Sequence, residues 1–132
     1  MRKAILLMIL VFGLSLSAMS QAMIGFNMSE VRDNFPDAKW SYGIWEEENR
    51  LQSMTFEDDN MAVIFYFNSS YVCFITAIVP KTQGFLQGMI EKYNSRYVVV
   101  NDTSWKFYTN GGVLKCTLEH TDKGVYFFKW FN

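Results

Sequence analysis

The 132-residue chain has one histidine, two cysteines and two prolines, and its twelve basic residues nearly cancel its thirteen acidic ones. Each scarcity closes a route. With His120 alone there is no second imidazole for a zinc pair, and no serine stands in a Gly-x-Ser-x-Gly setting. Phosphate-binding loops of the Gly-x-Gly-x-x-Gly kind are missing as well. Cys73 and Cys116 lack the Cys-x-x-Cys or Cys/His surroundings of redox or metal chemistry. Each sits in an apolar run, where a cysteine serves as a small buried hydrophobe or as half of a disulfide. A formal charge of −1 makes nucleic acid a poor partner. The expectation is a chain that is not an enzyme and uses no cofactor or metal.

No apolar run reaches the roughly 20 residues of a membrane-spanning helix. The one long run, from Ala4 to about Leu16, follows Arg2 and Lys3 and precedes small residues. Residues 1–22 therefore read as an export signal, cut after Ala22 or after Ser20. No cysteine lies near either cut, so the expected product is not lipid-anchored but exported, periplasmic or extracellular. Residues 23–132 then form one domain. That length holds a real core but not two independent ones. Its charge is divided, with nine acids and three bases in 23–80 against four acids and seven bases in 81–132. Asn27, Asn68 and Asn101 open glycosylation-acceptor triplets, which matter only in a eukaryotic secretory pathway.

What the chain has in quantity is aromatic and β-branched residues in short runs. The stretch LQSMTFEDDNMAVIFYF at 51–67 returns as VLKCTLEHTDKGVYFFK at 113–129, with Thr55/Thr117, Glu57/Glu119, Val63/Val125 and Phe65/Phe127 all 62 apart. Such self-similarity predicts a β-hairpin used twice. Around it, a capped helix is predicted over 27–35, with Asn27 and Glu30 in capping-box positions and Pro36 as the stop. Strands follow at 40–45, 51–56, 61–67 and 71–79. A second helix over 82–94 carries Phe85, Leu86, Met89, Ile90 and Tyr93 at helical spacing, with Gly84 and Gly88 on a neighbouring line that permits close approach to a sheet. Strands at 96–100, 105–109, 113–118 and 125–131 complete the order. The fold class expected is α+β: two tandem α-β-β-β-β repeats, about 26–80 and 81–132, forming one antiparallel sheet with both helices on one face.

The runs at 61–67 and 71–79 are apolar at both alternations, unlike a sheet with one face in water. Three readings follow: a curled sheet whose central strands are buried on both sides, a homodimer through the open face, or a partner site. Trp40, Tyr42, Trp45, Trp105 and Tyr108 are the aromatics expected to serve such a site. The acidic runs Glu46-Glu47-Glu48 and Glu57-Asp58-Asp59 lack the alternation and glycine of a calcium loop and read as solvated turns, as does His120. The function expected is binding of a protein or peptide through an aromatic-rich sheet face. A carrier holding a small apolar ligand between sheet and helices is the alternative.

Short stretches also carry a resemblance. Ser-Ala-Met-Ser-Gln-Ala at 17–22 is similar to the signal ends of small exported proteins of Bacteroides-type bacteria. Phe35-Pro36-Asp37-Ala38-Lys39-Trp40, followed by strands and a second helix after Val79-Pro80, resembles PepSY-like and β-lactamase-inhibitor-like tandem α/β modules. Gly25-x-x-x-Ser29-Glu30-Val31 resembles the opening of small outer-membrane assembly lipoproteins. The resemblance implies a non-catalytic envelope or inhibitor-type binding role, with no site residues attached to it.

Overall fold

A computed structural model describes residues 23–42 and 52–132, and the backbone alone at 40–42. The predicted export signal, Trp45 and Glu46, Glu47 and Glu48 lie outside the described residues. Among those described, no helix is long and apolar enough to cross a membrane. The chain runs α1 (Met28–Asn34), β1 (Lys39–Tyr42), β2 (Gln52–Glu57), β3 (Met61–Phe67), β4 (Cys73–Pro80), α2 (Gln83–Arg96), β5 (Val98–Asn101), β6 (Ser104–Thr109), β7 (Gly112–His120) and β8 (Tyr126–Phe131).

Local chemistry sets the helices. The Asn27 carboxamide oxygen accepts the Glu30 N–H at 2.9 Å while the Glu30 carboxylate accepts the Asn27 N–H at 3.2 Å, a complete capping box. A helix of seven residues needs such help, because nucleation costs more than its few internal bonds return. At α2, the Thr82 hydroxyl accepts the Phe85 N–H at 3.1 Å, and Leu86, Met89 and Tyr93 make the buried stripe. Gly84 and Gly88 do not mark a close approach: a Cβ built at either meets nothing within 4 Å, and both face water.

The eight strands form one antiparallel sheet in the order β1-β2-β3-β4-β8-β7-β6-β5. Two four-stranded meanders thus meet along β4 and β8, where Thr76 lies opposite Trp130 and Ile78 opposite Phe128. The 62-residue match does not follow this layout. It pairs the hairpin β2–β3 with β7–β8, yet by strand order the counterpart of β8 is β4. The register differs too. Glu57 lies opposite Ala62, whereas Glu119 lies opposite Phe127, three residues beyond the position that the offset assigns. An odd slip turns every side chain of a strand to the other face. Phe65 accordingly joins one buried cluster and its sequence counterpart Phe127 another.

Those clusters explain the doubled apolarity. Val31 of α1 and Leu86, Met89 and Tyr93 of α2 share a core with Met54, Val63, Phe65, Ile78, Trp105, Leu114, Cys116, Phe128 and Trp130. The other alternation is buried as well, at Tyr66, Ala77 and Phe127, with Ile64, Phe74, Ile75 and Val79 packed against them. The central strands are therefore enclosed at both alternations. A polar residue on the first side, Thr76, is fully buried, and its hydroxyl sits 3.4 Å from the Cys73 sulfur. Cys73 and Cys116 are both free and buried, not joined as a disulfide. Residues 25–28 are strapped to the start of β4: Gly25 N–H donates to the Cys73 carbonyl at 2.7 Å, and Cys73 N–H to the Phe26 carbonyl at 2.8 Å.

Candidate binding surface

The structure separates the five aromatics singled out in the sequence. Trp105 turns inward: it is 1% exposed, its ring lies 5.5 Å from Tyr93 and 5.9 Å from Phe128, and its indole N–H donates to Asn94 at 2.8 Å. A partner cannot reach it, because burying so large a ring against the helix is the more favourable use of its apolar surface. Tyr108 lies on β6 at 60% exposure. Trp40 and Tyr42 sit in β1, with Cα positions opposite Met54 and Gln52. Trp45 lies outside the described residues.

Tyr108 has company that sequence inspection passed over. On its side of the sheet, Val113 is directly opposite, and the next row places Lys106 opposite Lys115 and Lys115 opposite Phe131. One row further, Lys129 lies opposite Thr117, its ammonium 5.3 Å from the Phe131 ring centre. Like charges directly opposite each other destabilise a sheet. Among the described residues no ion pair involves Lys106 or Lys115. The nearest acid of this side in sequence, Glu119, accepts the Thr117 hydroxyl at 2.8 Å. The signal that could have exposed this patch was the excess of bases in 81–132, but only cross-strand register shows that three of them share one side.

The other polar candidates are occupied by local structure. Glu57 pairs with Lys81, and the Asp58 carboxylate accepts the N–H groups of Asn60 and Met61, closing the β2–β3 turn. His120 ends β7, exposed, with its ring 5.7 Å from that of Tyr126. Among the described residues, no three His, Cys, Asp or Glu side chains group as a metal site. The thiols are kept protonated: burial pushes Cys73 up to about 11 against the bonds from Thr76 and nearby backbone, and pushes Cys116 higher still, with Glu119 adding to it.

No protein-family model matches this chain, and the comparisons with curated proteins and with solved structures give no match either.

Proposed function

We propose that this is an exported, non-catalytic binding protein of the bacterial envelope or extracellular space, and that it holds a protein or peptide on the lysine-lined side of β6, β7 and β8. The observation that carries the reading is Lys106 opposite Lys115 beside the exposed Tyr108 and the half-buried Phe131. That arrangement costs the fold stability, and an acidic segment bearing aliphatic or aromatic groups would offset the cost on binding. The resemblance to PepSY-like and inhibitor-like modules points to the same class of role. The framework is two α-β-β-β-β units with both helices against one side of the sheet. Supporting it are the element order, which runs through that series twice, and the single core cluster that joins residues of α1 and α2 to the same alternation of the strands. The space between α2 and the sheet, where a carried apolar ligand would sit, is filled by Tyr93 and its ring neighbours, which favours an outer surface.

Affinity capture from envelope extract tests this, using the wild type, Tyr108→Ala and the double variant Lys106→Glu/Lys115→Glu. The expected result is a partner retained by the wild type, released by raised salt, and reduced at least about tenfold by the charge reversal. Equal retention by all three proteins would remove this surface from consideration.

A further inference from the structure

The outer edge of β5 differs from the rest of the molecular surface. It is the last strand in the sheet, and no described residue pairs with its far side. Val98, Val99 and Val100 are 50%, 49% and 51% exposed. Natural sheets blunt their edges with lysine, proline or inward charges, since a bare edge is a template for another strand. The opposite edge follows that rule: β1 begins with Lys39, and Pro36 and Asp37 precede it. β5 is short and bulged, two further ways of blunting an edge, but it has three valines and no charge. Of the eight exposed large hydrophobics among the described residues, five lie on β5 and β6, namely these valines with Phe107 and Tyr108, so the exposure is gathered at this end.

The segment Arg96-Tyr97-Val98-Val99-Val100-Asn101-Asp102 is also complementary to itself when read antiparallel. About a two-fold axis at Val99, Val98 falls opposite Val100 and Val99 opposite itself, while Arg96, the last residue of α2, and Asp102, in the turn after β5, flank the strand so that each end brings an Arg96 towards the second copy's Asp102. Arg96 and Asp102 are both exposed, and neither is in an ion pair among the described residues. The β5–β6 ladder skips Val100 at a bulge, which leaves that residue without a β6 partner and half exposed at the edge.

We propose that β5 is an edge-to-edge interface between two copies of this chain, paired antiparallel about Val99 and closed at both ends by Arg96 and Asp102. Antiparallel pairing in the plane of the sheet keeps like faces together, so the two lysine rows lie on one side of a continuous sheet. The interface does not depend on the binding role proposed for that side. A four-residue strand makes a small contact, so association depends on concentration.

Sedimentation of the purified protein from about 1 to 500 μM tests it, since small interfaces dissociate in that range. The mass is expected to rise twofold across the series. Val99→Lys places two ammonium groups at the axis and is expected to hold the protein as a monomer throughout, with an unchanged thermal midpoint because Val99 is half exposed. Arg96→Glu and Asp102→Lys should each raise the dimerisation midpoint about fivefold, and together restore it to within about twofold of wild type. A monomer at all concentrations, or a Val99→Lys protein that dimerises normally, overturns the proposal. Failure of the double variant to restore pairing overturns the register.

Discussion

The two halves of the molecule hold their helices by different means. In the first, Phe35 just beyond α1 sets its ring 5.2 Å from Phe56 and 5.0 Å from Phe65, and the short helix relies on its capping box. In the second, Tyr93 stands inside α2 with ring neighbours at Phe128 (4.8 Å), Tyr97 (5.3 Å), Trp105 (5.5 Å) and Trp130 (5.6 Å), and its hydroxyl accepts the Trp130 indole N–H at 3.4 Å. Phe35 is partly buried and Tyr93 wholly so. The difference teaches that a helix can be fastened to a sheet by local capping with a ring just beyond its end, or by an aromatic cage around a residue within it.

The largest test of that asymmetry is truncation. Tyr93→Ala should cost about 3–5 kcal/mol in denaturant unfolding, and Phe35→Ala about 2 kcal/mol, because only the first leaves an enclosed cavity. Equal losses would break the comparison.

Alkaline pH acts next, through the buried thiols. Below the ordinary value of 9.0 both folded and unfolded chains are protonated and nothing changes. Above it the unfolded chain ionises first, so stability falls until the folded-state value is passed, about 11 for Cys73. That interval corresponds to roughly 2–3 kcal/mol for Cys73, at 1.36 kcal/mol per unit. Cys116, pushed up further by burial, should prolong the decline. Urea midpoints from pH 8 to 11 measure it. Cys116→Ala should flatten the decline more than Cys73→Ala.

The caps come third. Asn27→Ala removes the side-chain arm of its box from a seven-residue helix and should cost about 1–2 kcal/mol, while Thr82→Ala loses one bond from a helix anchored elsewhere and should cost about 0.5–1 kcal/mol. Amide exchange in α1 against α2 would show whether only the shorter helix opens. The smallest effect has the opposite sign. Gly88→Ala places a methyl group in open space on the surface of α2 and should raise stability by about 0.5–1 kcal/mol, read as an upward shift of the thermal midpoint.

Much of the architecture was legible because it rests on near neighbours. Asn27 with Glu30, and the stripe Leu86, Met89, Tyr93 at helical spacing, announce themselves within a few residues. The candidate surface was less legible. Tyr108 was anticipated on size and type, but so was Trp105, and nothing local distinguishes an aromatic that covers a helix from one that faces water. Lys106 and Lys115, nine residues apart in the chain, became neighbours only through the β6–β7 register.

By itself the sequence determined the helices, most of the strands and the α+β class, since caps, breakers and side-chain period act over one turn or one pleat. Tertiary structure alone decided how the two similar stretches are used. Residues 51–67 and 113–129 look alike as strings, yet a register three residues apart sends Phe65 and Phe127 into different clusters, because hydrogen-bond pairing and helix burial, not residue identity, choose the face that a strand presents.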